Sequence, residues 1–234
     1  MEEKVIEFRN VTKDFGTGKV LDGLTFSVNR GEVVCITGPS GTGKSVTLKH
    51  IVGLIEPDSG EIELKTDRIG YLFQSGALLA WLTVWENVAL PLKETTGLSE
   101  DEIDAKVMKA LAAVELTDAA DKYPSEISGG MQKRAGLARA IVCEADVILY
   151  DEPTSGLDPV TSVRINDLIK RLNSDFGITS IVVTHDIPSA LRIADRMLLI
   201  KGGRAVEYSA PADFEKSTSP DVREFLAAMK GESV

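Results

Sequence analysis

The stretch Val33-Val34-Cys35-Ile36-Thr37, followed directly by Gly38-Pro39-Ser40-Gly41-Thr42-Gly43-Lys44-Ser45, decides the fold of this chain. Its first half is continuously apolar, which is typical of a strand covered on both faces in a parallel sheet. Its second half matches GxxxxGK[ST], and the composition of residues 46–52 suits a helix. Glycines let main-chain N–H groups curl around an anion, and a helix start adds partial positive charge. We therefore predict a phosphate-binding loop between a strand and a helix.

This loop predicts a nucleotide site with a metal ion. Lys44 is placed to reach the β- and γ-phosphates, and the Ser45 hydroxyl is placed to hold Mg²⁺. The predicted nucleotide-binding residues of this segment are Gly38, Pro39, Ser40, Gly41, Thr42, Gly43, Lys44, Ser45 and Val46. A glycine-rich turn without a ligand is the alternative, and the flanking strand and helix disfavour it.

Apolar runs elsewhere extend the same pattern along the chain. They occupy residues 147–150, 180–184 and 197–200, with helix-like segments between them, so the predicted class is α/β with a mostly parallel sheet. Residues 5–8 and 24–28 alternate in polarity around a turn and predict an antiparallel β layer.

One domain with an insertion is the predicted organisation of residues 1–234. Residues 1–82 and 140–234 form the predicted core with its antiparallel layer. Strand signals vanish from about residue 84 to 139, so residues 83–139 are predicted to form an inserted α-helical subdomain. Residues 210–234 form a C-terminal tail, and the sequence leaves open whether it packs on its own core or across a dimer.

Composition excludes several classes of function. The 234 residues include 26 Lys and Arg against 36 Asp and Glu, which gives a formal net charge of −10. This charge argues against nucleic-acid binding and against adsorption to an anionic lipid surface. No signal peptide is expected at the acidic start Met1-Glu2-Glu3-Lys4. The longest uncharged apolar stretch, residues 75–85, is shorter than the roughly 20 residues of a membrane span. Cys35 and Cys143 are predicted to be buried thiols without a disulfide.

Acidic and imidazole side chains follow two of the apolar runs. Asp151 and Glu152 come at the end of one strand, where Asp151 is placed to support Mg²⁺ and Glu152 to polarise an attacking water as general base. A solvated strand end is the alternative for this pair. His185 ends another strand and is placed to bond the γ-phosphate, or is a strand-end histidine without a role. We interpret His50 as a helix-face residue.

A second glycine motif, Ser128-Gly129-Gly130-Met131-Gln132-Lys133-Arg134, precedes a further helix-like segment. Its hydroxyl, its main-chain N–H groups and the helix dipole form a second predicted anion cradle. Two such cradles in one chain suggest that each closes on a nucleotide held by another copy.

These motifs, in this order, resemble the nucleotide-binding subunit of an ABC transporter over residues 5–206. The resemblance implies a P-loop NTPase (RecA-like) core, ATP and Mg²⁺ as ligands, and a homodimer docked on integral-membrane permease subunits. It implies that Phe15 stacks on adenine and that Gln74 acts at the metal and in catalysis, alongside Lys44, Glu152 and His185. It further implies that Ser128, Gly129, Gly130 and Asp158 contact nucleotide.

Two features depart from the family pattern. Met131 replaces the usual signature glutamine, and Gln132 follows it. Residues 65–68 form an unusually short connection between predicted strands, which leaves the size of the antiparallel layer open.

The subfamily that the chain resembles is the ATPase of Mla-type lipid transporters. The resemblance lies in Ser128-Gly129-Gly130-Met131 with Arg134, and in residues 72–78, 86–92 and 219–226. It implies phospholipid transport between inner and outer membranes, from the cytoplasmic face of the inner membrane. An MCE-domain lipid-binding protein and a small STAS-type regulator are the further implied partners. The alternatives are the ATPase of another ABC importer or exporter, and a soluble ABC scaffold without a permease.

Both tryptophans, Trp81 and Trp85, follow Gln74 closely. Buried aromatic anchors dominate many interfaces, so one hypothesis is that at least one of them contacts the permease. The alternative is ordinary packing of the helical subdomain.

Overall fold

The computed structural model describes residues 3–230; Met1, Glu2 and residues 231–234 of the predicted tail lie outside the described residues. The strands are β1 (Lys4–Asp14), β2 (Lys19–Asn29), β3 (Val33–Thr37), β4 (Ser59–Leu64), β5 (Ile69–Leu72), β6 (Val147–Asp151), β7 (Thr179–Val183), β8 (Arg196–Lys201) and β9 (Arg204–Ser209). The α-helices are α1 (Lys44–Ile51), α2 (Val84–Thr95), α3 (Glu100–Ala113), α4 (Gly129–Ile141), α5 (Pro159–Phe176), α6 (Ile187–Ile193), α7 (Pro211–Glu215) and α8 (Pro220–Lys230). Within this described part, every helix is too short or too polar to cross a bilayer.

Two compact units make up the described chain. Residues up to Asp67 together with those from Thr179 onward form the first unit, and Arg68–Ile178 form the second. The predicted phosphate loop belongs to the first unit, whereas the predicted acidic pair and second glycine motif belong to the second. The predicted helical subdomain, residues 83–139, lies within the second unit, and its limits stay a prediction.

The first unit holds a mixed sheet and an antiparallel sheet. β3 pairs in parallel with β7 on one side and with β8 on the other, and β9 adds to β8 in antiparallel fashion. Every residue of β3 and β7 is buried, which explains why neither strand carries a charged side chain. The antiparallel sheet has the order β2-β1-β4. The predicted α/β class and antiparallel layer are confirmed, and the short connection at 65–68 leaves that layer with three strands.

The second unit combines a parallel strand pair with helices. β5 and β6 pair in parallel, and α4 packs against β5 and against α2 and α3. α2 and α3 each begin with a capping box, formed by Thr83 with Glu86 and by Ser99 with Glu102. These reciprocal bonds satisfy N–H groups that an uncapped helix start leaves open, which fixes where the helices begin. The helical content predicted after residue 84 is confirmed.

The described part of the tail packs on its own chain. Phe214 of α7 and Val222 of α8 are fully buried, and both helices lie against β9. Lys201 Nζ donates to Asp221 Oδ1 and Glu224 Oε2, each at 2.7 Å. Packing on its own core, one of the two possibilities left open by the sequence, therefore holds for residues 210–230.

The two cysteines differ in exposure. Cys35 lies buried in β3, as predicted, and burial raises the pKa of its thiol. The prediction was wrong for Cys143, which is exposed because it falls in the turn between α4 and β6 rather than inside the strand. Neither cysteine forms a disulfide.

Candidate functional site

Close packing of main chain shapes the loop after β3. Gly43 has a φ of 93°, and a Cβ there would lie 2.6 Å from Leu21 Cδ2 and 2.9 Å from Val20 O. Gly38 also has a positive φ, and its Cβ would collide with Ile200 O. Only glycine fits at these two positions, so the sequence of the loop is dictated by its conformation.

Lys44, the first residue of α1, folds back over the loop. Its Nζ donates to the carbonyl oxygens of Gly38 and Pro39, both at 2.8 Å, and Thr42 Oγ1 donates to Pro39 O at 2.9 Å. In the described structure no side chain caps the N-terminus of α1. A cation and an uncapped helix start at one loop suit an anion such as a phosphate group.

His185 lies at the same sheet edge as this loop. Val183 of β7 is in register with Ile36 of β3, and Thr184 N donates to Ile36 O at 3.1 Å. Because the two strands are parallel neighbours, His185 and Gly38 leave them at the same end. His50 lies instead on the buried face of α1, with Nδ1 2.7 Å from Val46 O.

Phe15 presents an open aromatic face. It follows β1 in an exposed turn, with 51% of its surface accessible. Lys13 Nζ lies 5.6 Å from its ring centroid. A base stacked on this ring would need no rearrangement of the core.

In the second unit, the two acidic residues predicted from sequence lie at the C-terminal end of β6: Asp151 is its last residue and Glu152 follows it. Tyr71 OH donates to Asp151 Oδ2 at 3.2 Å, and burial together with the Asp151 charge raises the pKa of Tyr71. Glu152 has a φ of 51°, in the left-handed region. Such a conformation costs a non-glycine residue about 1–3 kcal/mol and tends to occur at functional sites.

The second glycine motif forms the start of α4. Ser128 Oγ accepts from Met131 N at 3.3 Å and caps the helix. A Cβ on Gly130 would lie 2.5 Å from Thr161 Cγ2, whereas the nearest atom to a Cβ on Gly129 is 3.8 Å away. Gly130 is therefore required by close packing against the first turn of α5.

Asp158 caps α5 beside this contact. Its Oδ1 accepts from Val160 N and Thr161 N, both at 3.0 Å. The hydrogen bonds from Thr161, first from its hydroxyl and then from its N–H, hold the pKa of Asp158 below its usual range. The structure thus brings Asp158 and the Ser128–Gly130 motif together.

The two residues at which the sequence departs from the family pattern, Met131 and Gln132, have different surroundings. Met131 is half-buried on the first turn of α4. Gln132 Nε2 donates to Pro124 O at 2.8 Å, so its amide is turned back onto the preceding loop.

Lys133 is a site residue that the sequence reasoning missed. It is 5% exposed, and its Nζ donates to Gln74 O and, at 3.3 Å, to Glu152 O. Gln74 in turn donates from Nε2 to Ser155 Oγ at 3.3 Å. One feature of the sequence could have revealed it. Lys133 lies three residues after Gly130 and four before Leu137, a spacing that places all three on the buried face of α4.

Trp81 and Trp85 occupy different environments. Trp85 is half-buried, donates from Nε1 to Asp104 Oδ1 at 2.8 Å, and lies under Lys93 Nζ at 5.2 Å from the ring. Trp81 is 71% exposed. Trp85 therefore packs within its own unit, as one of the two interpretations expected, and Trp81 presents its indole to solvent.

Each unit carries side chains of types that suit a nucleotide or a magnesium ion. In the first unit, Lys44 and the uncapped start of α1 lie at one glycine-rich loop, which is a donor set that suits a phosphate group. Ser45 of the first unit and Asp151 of the second unit each carry a hard oxygen donor of the kind that Mg²⁺ prefers.

Comparison with known proteins gives consistent matches. The family model described as ABC transporter matches residues 21–155. A probable ribonucleotide transport ATP-binding protein, mkl of Mycobacterium tuberculosis, is 41% identical over 236 residues, which are 94% of this chain. This chain spans 66% of the length of that relative.

Another relative matches over almost its full length. The intermembrane phospholipid transport system ATP-binding protein MlaF of Escherichia coli K12 is 40% identical over 244 residues, covering 97% of this chain and 91% of MlaF. Among solved structures, the dimeric post-hydrolysis state of the ATP-binding cassette MJ0796, bound to ADP and Pi, superposes with a TM-score of 0.79. It is 34% identical, with 88% of this chain and 98% of that chain covered.

Proposed function

Because this chain belongs to the ABC transporter family of ATPase cassettes, we propose that it binds and hydrolyses ATP to drive transport through a separate permease. The observation that carries the proposal is Glu152, held in a left-handed conformation directly after Asp151 at the end of a buried strand. Strain of this kind persists only where the surrounding structure imposes it, and it supports the proposal that the Glu152 carboxylate acts as the general base.

Each candidate residue has a role in this proposal. Phe15 stacks on adenine, a contact of about 1–3 kcal/mol in comparable sites. The loop from Gly38 to Val46 surrounds the phosphates, where Lys44 offsets their charge. Ser45, Gln74 and Asp151 hold Mg²⁺, which supplies further charge neutralisation when bound.

The chain then promotes hydrolysis mainly by positioning the reacting groups and by stabilising the charge that develops on them. Glu152 orients the attacking water and accepts its proton, while Gln74 and His185 position the water and the γ-phosphate. The exposed Phe15 ring, the Lys44 fold-back over the loop and the shared sheet edge of His185 and Gly38 support these assignments.

A second copy of the chain completes the site in our proposal. Ser128, Gly129, Gly130 and Asp158 of one copy cover the nucleotide bound by the other, which gives two equivalent sites across a two-fold axis. Support comes from the start of α4, the predicted anion cradle, where Ser128 caps the helix and Gly130 packs against α5. The cassette MJ0796 was solved as a dimer.

We propose that the cargo is phospholipid, carried by a transport system of the Mla type. This proposal is supported by the near full-length similarity to MlaF, named as part of an intermembrane phospholipid transport system. The name of the mycobacterial relative favours a second candidate cargo, a ribonucleotide. Lipid extraction from the purified transporter distinguishes the two.

The partners follow from this cargo. We propose an integral-membrane permease that holds the ATPase at the cytoplasmic face of the inner membrane, with an MCE-domain protein and a STAS-type regulator in the same assembly. Trp81 is the proposed permease contact, because an indole that is 71% exposed resembles an unoccupied interface anchor.

Glu152→Gln tests the proposed function. We expect kcat for ATP hydrolysis to fall by about 100-fold to 10,000-fold, while ATP affinity is kept and the ATP-bound dimer persists longer. Phosphate release, ATP binding and size-exclusion chromatography with ATP measure the three effects.

Glu144→Gln is the matched control for this experiment. Glu144 is also a glutamate with positive φ, at 57°, and it precedes β6 rather than ending it. Its carboxylate pairs with Lys106 at 2.6 Å, outside the proposed site. We expect unchanged turnover in this control, and normal turnover in Glu152→Gln would disprove the assignment of the general base.

A further inference from the structure

We propose that Lys133 is a positioning residue that fixes the main chain of Gln74 and of Glu152 in the geometry needed for hydrolysis. The inference rests on the proposed ATPase function. It concerns a lysine of α4 that lies behind the site and contacts two of its segments through their carbonyl oxygens.

The burial of Lys133 is unusual for its residue type. Lysine is almost never fully buried unless it is paired, because desolvation of an ammonium group is costly. Lys133 is only 5% exposed, and burial lowers the pKa of its side chain, while the charges of Glu152 and then Asp151 oppose that shift. An apolar residue would fill this place in α4 at lower cost, so packing alone does not account for a lysine here.

The first contact of Lys133 is to the strained residue. Glu152 O accepts from Lys133 Nζ at 3.3 Å and from Ser155 N at 3.1 Å. Two donors on one carbonyl fix the orientation of the peptide plane that follows Glu152. Because φ of Glu152 is 51°, an unrestrained chain would relax toward the ordinary helical or extended region and turn the carboxylate away.

The second contact is to the segment that carries Gln74. The same ammonium group bonds to Gln74 O, and the Gln74 amide reaches Ser155 Oγ, three residues after Glu152. One buried cation therefore links the position of the proposed metal-site glutamine to that of the proposed base. The two segments share one donor group, so a displacement of either segment breaks its hydrogen bond to Lys133.

Lys133→Met in the full chain tests this inference, since methionine keeps the length of the apolar stem but has no donor. We expect kcat to fall about 10-fold to 100-fold, as for a small misplacement of a catalytic group. KM and the dissociation constant for ATP should stay within about twofold of the wild type, because no ATP contact is removed.

Arg139→Met is the matched control. Arg139 lies on the same helix and donates to Gly76 O at 2.9 Å and Ala77 O at 2.8 Å, in the same segment as Gln74 but without a bond to Glu152. Its kcat should stay within about twofold of the wild type.

Three outcomes overturn the inference. They are a folded Lys133→Met with wild-type kcat, a loss of ATP affinity larger than the loss of kcat, and an equal loss of kcat in Arg139→Met. If Lys133→Met does not fold, Lys133→Gln decides, since its shorter side chain reaches at most one of the two carbonyls. We expect its kcat to fall about fivefold or more at unchanged KM, and a wild-type kcat would overturn the inference. If the wild type does not hydrolyse ATP, the proposed function itself fails, which is a separate result.

Discussion

The loop of residues 38–45 and the segment of residues 74–83 both connect a parallel strand to a helix, yet different parts of the chain hold them in place. The loop is shaped by its own glycines and by the fold-back of Lys44 onto Gly38 and Pro39. The segment is held by side chains from α2 and α4, which donate to its carbonyl oxygens. Adding a methyl group inside a loop of the first kind disrupts its conformation, whereas removing one distant anchor from a segment of the second kind lowers the stability of the fold.

Gly43→Ala is expected to have the largest effect, because it adds a methyl group inside the phosphate-binding loop. The added Cβ meets Leu21 Cδ2 at 2.6 Å, and a φ of 93° is unfavourable for alanine. We expect ATP affinity to fall by about 100-fold or more, as measured by calorimetry.

Gly97→Ala is its control, since a Cβ there has no neighbour within 4 Å. Its ATP affinity should equal that of the wild type. Unchanged affinity in Gly43→Ala would show that the loop adapts, and the contrast between the two regions would then fail.

Asn87→Ala comes next and removes a distant anchor of the segment. Asn87 is fully buried, its Nδ2 donates to Leu79 O, Leu82 O and Thr83 O at 2.9–3.1 Å, and its Oδ1 accepts from Leu79 N at 2.7 Å. Loss of these four hydrogen bonds of a fully buried side chain is expected to cost about 3 kcal/mol of unfolding free energy.

Urea denaturation measures this change. ATP affinity of the folded Asn87→Ala variant should stay at the wild-type value, because the phosphate loop does not depend on Asn87. A loss of less than about 1 kcal/mol would show that the segment also holds itself in place.

Trp81→Ala has the smallest expected effect on the isolated chain. An exposed side chain contributes little, so unfolding free energy should change by no more than about 0.5 kcal/mol. Trp85→Ala should cost more, since Trp85 packs against Asp104 and Lys93. Co-purification with the permease should weaken in Trp81→Ala. If both variants assemble normally and only Trp85→Ala is less stable, the packing interpretation holds for both tryptophans.

The same contrast explains what the sequence could predict. The buried run 33–37 and the glycines after it are local patterns, and β3 occupies the predicted run, whereas α1 begins at Lys44, two residues before the predicted start at residue 46. The apolar run at 180–184 was displaced by one residue from β7, since strand ends depend on pairing partners.

Side-chain anchors lay beyond the reach of local patterns. Lys133 and Asn87 act on carbonyls 59 and 8 residues away, respectively, and only the folded chain brings them together. The exposure of Cys143 was predicted wrongly for a related reason. Apolar neighbours in the sequence do not distinguish a turn from the strand that follows it.

The unequal exposure of the two thiols makes the chain ready for spectroscopy without mutation. Cys35 is enclosed in β3, so a maleimide dye should label Cys143 alone. Cys143 lies just beyond the C-terminal end of α4, and the 13 residues of that helix place it about 20 Å from the Ser128 motif at the other end. A single dye on each copy would therefore report, by energy transfer, when two copies close around ATP and when they separate.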